Sequence, residues 1–482
     1  MKKCLIAILC FAGVCTRAQA PQKFYTRFGG YNHDIGYGVI QTLNGQYAVT
    51  GSTGSFGNGN TDAFIALVDS MGWVRWEKSY GGFNNDIGRS IIQLSDSGFV
   101  IAGYTDSFGG GGYDVLVVRT DKTGNMIWQK AFGGLDWDFG YCVKACPTGD
   151  SLIIAGSTYS YGYGKLDGYI LKLDLNGNLQ WQKTYGGAED DEFRSVALTT
   201  TTQYAFGGTT KSMGDTKGDA WLVKSGLAGD SVFSYNYGNN KRQFINKMVQ
   251  VKTSDFLMCG GFDSTAVDSS WSYILSVKQN GSFYFQDAFS KHNMKDQQFT
   301  ALTTAKVIDY IYVEKAFNSP VGFKLEPTVC LFQGSIYNYC TTYGGISDEI
   351  IYDISNTKDK GYIAVGQTDG FGAELTDVFL VKMDSTILGS MKIVGINEPN
   401  QYTKSSVSVF PTVTNSEIHI IINGNFKSPK LNIIDALGHL IFEAEIRDKN
   451  LKFDISTFPT GFYFLRVSEN DFSQTFKVIK TD

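Results

Sequence analysis

The fold is decided between Trp76 and Gly134, which reads WEKSYGGFNNDIGRSIIQLSDSGFVIAGYTDSFGGGGYDVLVVRTDKTGNMIWQKAFGG. A tryptophan precedes an aromatic-Gly-Gly mark, and an aspartate follows four residues later. Then come an apolar run, a Gly-bounded turn, a second apolar run ending in Ala-Gly, a Gly-rich loop and an Asp-led hydrophobic run back to tryptophan. The mark recurs at Phe28, Tyr80, Phe132, Tyr185 and Tyr343, with degenerate copies at Tyr237 and Phe289. The steps are 52 to 54 residues, and a fixed period of that size means an array of one supersecondary unit.

Each period holds four short strands. In the first, the pattern predicts strands over 39–42, 47–50, 63–68 and 73–80, with turns at Asn44-Gly45 and Asp69-Ser70-Met71-Gly72. Asn-Gly and Asp-x-x-Gly supply the positive φ that hairpin turns need. Four antiparallel strands repeated seven times describe an all-β chain built as a seven-bladed β-propeller. A linear β-solenoid has shorter rungs and no reason to close.

Closure is written at the two ends of the array. Six copies carry an outermost strand with an aromatic four residues before the mark: Trp76, Trp128, Trp181, Phe233, Phe285 and Tyr339. The seventh copy lacks one after Asp384, while Phe24-Tyr25-Thr26-Arg27-Phe28 fits that strand and has no blade of its own. The first strand is therefore expected to complete the last blade and remove an open sheet edge. The short hairpin turns share one face of such a ring. The long loops, between second and third strands and between blades, crowd the other.

The bulk numbers agree. The chain has 482 residues, too many for one small core, with 55 Gly, 8 Pro and 14% aromatics. Residues 1–20 read as a secretory signal peptide: Lys2 and Lys3, an apolar run from Leu5 to Val14, and Ala18-Gln19-Ala20 before the cut. Cys10 follows Leu9 and Cys15 follows Val14, which does not suit a lipid anchor. The mature chain would keep 39 basic against 47 acidic residues, giving no sign of nucleic-acid binding. No apolar run is long enough to span a bilayer as a helix. Five cysteines remain, Cys142, Cys146, Cys259, Cys330 and Cys340, an odd number with no CxxC pair. Cys330 and Cys340 either staple a hairpin or stay free.

After Asp384 the repeat stops. Residues 21–394 are read as the propeller, 395–404 as a polar linker, and 405–482 as a small β-sandwich of strands with turns every 8–12 residues.

Two resemblances attach to these residues. The GG-x-x-x-D-x-G mark with its downstream [AT]-G-x-T resembles a bacterial secreted β-propeller repeat found in large surface proteins, which implies fold more than activity. The tail resembles the C-terminal sorting domain of the type IX secretion system. Its opening is Val407-Ser408-Val409-Phe410-Pro411, and its D-x-x-G turn runs from Asp435 to Gly438. The segment from Ile455 to Val467 contains Gly461 and Tyr463, and the basic close contains Lys477 and Lys480. Thr412-Val413 replaces the usual Asn-Pro. The resemblance implies delivery by the type IX translocon to the cell surface or the medium.

Chemistry is sparse. Asp34, Asp86, Asp138 and Asp191, and Asp62, Asp114, Asp167, Asp219 and Asp377, suit either Ca²⁺ or their own turns as Asx acceptors. Repetition once per blade favours the turns. Neither a metal nor a cofactor is expected. The tryptophans loosely resemble the D-x-x-x-G-x-x-x-W pattern of quinoprotein propellers, but Asp121 to Gly124 is one residue short and blade packing accounts for the rings. No G-x-S-x-G, H-E-x-x-H or P-loop occurs, and Glu189, Asp190 and Glu192 on one loop do not define a catalytic pair. Phe56, Phe108 and Tyr161, with His33, Phe83 and Trp137, are the candidate ligand-binding residues. They are placed to stack on sugar rings or, alternatively, to pin their loops. The expected function is an exported binding or adhesion module with a carbohydrate or another surface protein as partner. The alternatives are a glycan-active hydrolase or lyase working in the funnel, and a purely structural surface protein.

Overall fold

In the computed structural model, residues 23–481 are described apart from 200–202, 252–254, 264–269, 290–296, 305–308, 319–323, 334–335, 344–347, 371–372, 374, 388–391, 394–405, 411–412, 424–427, 436–438, 449 and 470–471. The leader read at 1–20, the linker read at 395–404, Gly345, Phe371, Pro411 and Gly438 lie outside the described residues. The chain divides into two compact units, Met1–Ile396 and Asn397–Asp482.

The first unit is a ring of seven antiparallel sheets. Their innermost strands are Asp34–Gln41, Asp86–Gln93, Asp138–Ala145, Asp191–Leu198, Gln243–Gln250, Gln298–Thr304 and Glu349–Asn356. Each touches the next, and the last touches the first, so the ring is closed. Six blades run from innermost to outermost strand in chain order. The seventh takes Phe24–Phe28, paired antiparallel with Asp377–Met383 in the register Phe24↔Lys382 to Phe28↔Val378. Arg27 adds an ion pair to the buried Asp377. A short strand not expected from the pattern, Lys392–Ile393, pairs parallel outside Phe24 and Tyr25 and shortens the edge they would leave.

The innermost strands begin earlier than the apolar pattern predicts: the first starts at Asp34, not at 39. The Asp-x-Gly lead reads as loop chemistry, yet it lies where blades converge and side chains have no room. A Cβ on Gly36 would stand 2.4 Å from a Val365 methyl, and one on Gly51 only 1.8 Å from the Ile35 carbonyl oxygen.

Among the described residues, seven buried apolar clusters each join two neighbouring blades. The outermost-strand aromatics cap these seams. Trp76 covers Gly124 (φ +79°) in the next blade's turn, where a Cβ would meet the indole at 2.6 Å. Tyr80 Oη donates to the Gly124 carbonyl at 2.7 Å. The same pairing recurs from Trp181 to Gly229 and from Tyr237 to Gly281. Trp76, Trp128 and Trp181 each pack on the turn glycine of the next blade, Gly124, Gly177 and Gly229.

Cys330 and Cys340 face each other across adjacent strands and form a disulfide. Cys142, Cys146 and Cys259 are buried free thiols, and burial pushes the Cys259 thiol up.

The second unit is a two-sheet sandwich. Ser406–Phe410, Glu417–Asn423 and Asn450–Asp454 form one sheet. Val413–Thr414, Phe472–Lys480, Gly461–Glu469, Lys430–Asp435 and Leu440–Glu445 form the other in that order. Ile418 and Ile420 from the first pack with Leu431, Ile433, Tyr463, Leu465 and Val478 from the second. Asp435 Oδ1 accepts the His439 N–H at 2.8 Å, and Tyr463 Oη donates to the Pro459 carbonyl at 2.6 Å. Lys480 is buried, and Gly461 is half-buried at the start of its strand. Lys477 lies in the last strand.

Candidate binding surfaces: the loop-rich face and the central channel

The aspartates that open the innermost strands organise the loop-rich face. Asp34, Asp86, Asp138 and Asp191 accept the backbone N–H of Gly30, Gly82, Gly134 and Gly187 at 2.8, 2.8, 2.8 and 2.9 Å. In the first three the same oxygen takes a serine hydroxyl from the neighbouring loop: Ser55, Ser107 and Ser160, at 2.6, 2.7 and 2.7 Å. Asp62, Asp114 and Asp167 accept from Gly59, Gly110 and Tyr163 at 3.0, 3.0 and 2.8 Å. These carboxylates act as turn acceptors. Among the described residues no group of three or more His, Cys, Asp or Glu is placed to hold a metal ion.

Two aspartates from adjacent blades close on the first glycine of the first four marks, Gly29, Gly81, Gly133 and Gly186. A Cβ on Gly81 would stand 2.4 Å from Asp86 Oδ2 and 2.7 Å from Asp62 Oδ1. At Gly133 the distances are 2.4 Å to Asp138 and 2.0 Å to Asp114. Burial and the partner's charge therefore push the second aspartate up, in that order: Asp62 beside Asp86, Asp114 beside Asp138, and Asp167 beside Asp191, the last to about 6.

The six rim candidates fall into two groups. Phe56 packs on Phe64 beneath its loop, and Tyr161 packs on Tyr169 while its hydroxyl donates to the Gly133 carbonyl at 2.6 Å. His33 contacts the Thr376 hydroxyl. Phe108 is half-exposed with its ring edge over Gly82. Trp137 is half-exposed against Tyr113 and Phe139, and Phe83 is 84% exposed. The same face also presents Tyr31, on the loop of His33, and Leu135 and Tyr163, which the rim motif passed over. Tyr31, Phe83 and Leu135 each follow a Gly-Gly mark directly, and that spacing was the available signal.

The three acids of the loop at 189–192 are each matched to a cation: Glu189 to Lys165, Asp190 to Lys211, and Glu192 to Arg194, at 2.6, 2.8 and 2.8 Å.

The second surface is the central funnel, none of whose lining residues was among the candidates. Every innermost strand carries a β-bulge at the same register, and the extra residues are Tyr37, Arg89, Tyr141, Arg194, Asn246, Thr300 and Tyr352. A bulge bends its strand and re-aims a side chain. All seven line one cavity of about 190 Å³ on the ring axis, with Lys247 and Gln298. Arg89 lies over the Tyr37 ring and Arg194 over the Tyr141 ring, each 4.2 Å from the centroid. Tyr37 meets Tyr352 at 5.1 Å between ring centroids. Lys247 reaches from the fifth blade to Asp353 in the seventh at 2.9 Å. Burial opposes the charges of Arg194 and Lys247, but Glu192 and Asp353 outweigh it and both cations hold their protons more firmly than usual. Burial pushes the Tyr37 and Tyr141 phenols up, and that of Tyr352 to about 12, so all three remain O–H donors.

Ring, loop face and tail together define an exported β-propeller carrying its own delivery domain. Residues 408–481 match the family described as the secretion system C-terminal sorting domain. The chain is thus a type IX cargo, exported to the cell surface or the medium. Regulatory protein FlaEY of Caulobacter vibrioides is 25% identical over 194 residues, which cover 36% of this chain and 20% of that protein. This chain therefore spans about a fifth of that relative's length. Among solved structures, PorZ, a surface component of the type IX system of Porphyromonas gingivalis, is 11% identical with a TM-score of 0.41. The alignment covers 90% of this chain and 68% of that one. YCF48 bound to D1 peptide is 10% identical with a TM-score of 0.44, covering 76% and 96% of the two chains. Polysaccharide lyase Uly1 is 9% identical with a TM-score of 0.44, covering 78% and 94%.

Proposed function

We propose that the chain is an extracellular binding module that grips a surface glycan or another surface protein with the loop-rich face of its first three blades. The observation that carries the reading is a run of exposed apolar side chains on fixed loops. Phe83, Leu135 and Tyr163 are 84%, 88% and 85% exposed, with Trp137 and Tyr31 half-exposed beside them. Their loops are tied through Asp34, Asp86 and Asp138, so ordering them on binding costs little entropy. Aromatic faces on such a rim stack on sugar rings or on a partner's apolar side chains.

The test is a glycan array and a pull-down from intact cell envelopes with the mature chain. Phe83→Ala and Trp137→Ala are expected to weaken whatever binds by about ten-fold together, and Phe83→Ala to leave the melting temperature unchanged. Unaltered binding by the double variant contradicts the reading.

A further inference from the structure

We propose that the central channel is an oxyanion site in which Arg89 is the principal contact and Arg194 the second. This proposal stands apart from the rim, because it rests on the bulge residues and not on the exposed loops. Among the nine residues lining the cavity three are cations and none is a carboxylate. Two of the cations are already matched, Arg194 by Glu192 and Lys247 by Asp353. Arg89 forms no ion pair among the described residues and lies over the face of Tyr37.

Stacking holds each guanidinium by one face and leaves its N–H groups pointing outward in its own plane, the arrangement that matches carboxylate or phosphate oxygens in pairs. At Arg194 the Nε and Nη2 edge is already on Glu192, which makes it the second contact. Three phenol hydroxyls, the Asn246 amide and the Thr300 hydroxyl surround the same space. Thr300 donates to the Ile351 carbonyl at 2.6 Å, Asn246 to Phe299 and Gln298 at 2.9 and 3.1 Å, and Tyr352 to Gln367 at 3.0 Å, so among the described residues Arg89 is the lining cation left without a carboxylate.

The size fixes the ligand class. A cavity of about 190 Å³ holds about six waters at roughly 30 Å³ each, enough for one carboxylated sugar or one phosphate group but not for a folded chain. The bulge residues stand three positions into the strands from Asp34 and its equivalents, about 10 Å of strand below the loop-rich face. A ligand entering from that side would present its charged end to Arg89. The shared chemistry is an oxyanion, supplied either by an acidic sugar or by a phosphate ester.

The experiment is calorimetry of the mature full chain at low salt with glucuronate in one arm and inorganic phosphate in the other. Binding in either arm is expected, weakened by about ten-fold or more in Arg89→Met and partly restored in Arg89→Lys. Lys183→Met removes an equal charge from the outermost strand, where Lys183 pairs with Asp230, and should leave the affinity alone. Glucuronate alone identifies an acidic sugar, phosphate alone a phosphate ester, and both an unselective oxyanion site. The proposal is overturned if neither arm binds, or if Arg89→Met binds as the native chain does. Arg194→Gln, read in the same way, keeps the test valid if Arg89→Met fails to fold.

Discussion

At the scale of single residues, the Gly-Gly-x-x-x-Asp mark is a steric and electrostatic unit. The first glycine is there because two carboxylates from neighbouring blades occupy the space of its side chain. The second donates its N–H to one of them. The cost of that convergence appears at Asp167, whose carboxyl keeps its proton to about 6 against an ordinary value of 3.8, first through burial and then through Asp191. Its folded pKa lies above its unfolded one. Its contribution to stability is therefore whole below the ordinary value and is lost as the pH climbs to about 6. Asp167→Asn keeps an acceptor for the Tyr163 N–H and removes the repulsion. It should stabilise the ring at pH 7.5 by on the order of 1 kcal/mol or more and do little at pH 4. Denaturation midpoints at the two pH values check this, and a variant less stable at pH 7.5 would count against it. The aspartate's role as a turn acceptor was legible, because repetition once per blade argues for a local task. The paired carboxylates were not, since the two partners lie 24 residues apart in adjacent blades and meet only when the ring forms.

At the scale of elements, the ring depends on its first strand. Phe24 is fully buried among Val39, Tyr47, Phe64, Val68 and Val378, at the seam between the first and seventh blades. Phe24→Ala should cost about 3–5 kcal/mol in chemical denaturation, as for a core aromatic. A loss below about 1 kcal/mol would show that the seam does not carry the closure. The pairing partner could be read because one copy lacked an aromatic strand and the other end of the chain had one to spare. Strand starts and bulges could not. Glycines mark loops in most sequences, but on a crowded axis they are what lets the innermost strand exist. A bulge is set by pairing across two strands and leaves no composition of its own. The channel ring was nonetheless present as the third residue after each of Asp34, Asp86, Asp138, Asp191, Gln243, Gln297 and Glu349. Its residue types differ from blade to blade, so no repeated residue marks it.

At the scale of the whole molecule, each unit has its own core, and the two carry separate tasks. The ring supplies a rigid set of loops and an axial channel, and the sandwich supplies the address read by the secretion machinery. The central claim is that the sandwich delivers a ring that folds without it. The most direct measurement compares the full chain with one ending at residue 404, by antibody labelling of intact cells and by protease resistance of the periplasmic fraction. The account predicts surface or medium labelling for the full chain only, with the shortened chain held in the periplasm as a protease-resistant ring. A shortened chain that reaches the surface as efficiently as the full one, or that is degraded as an unfolded chain, would contradict it.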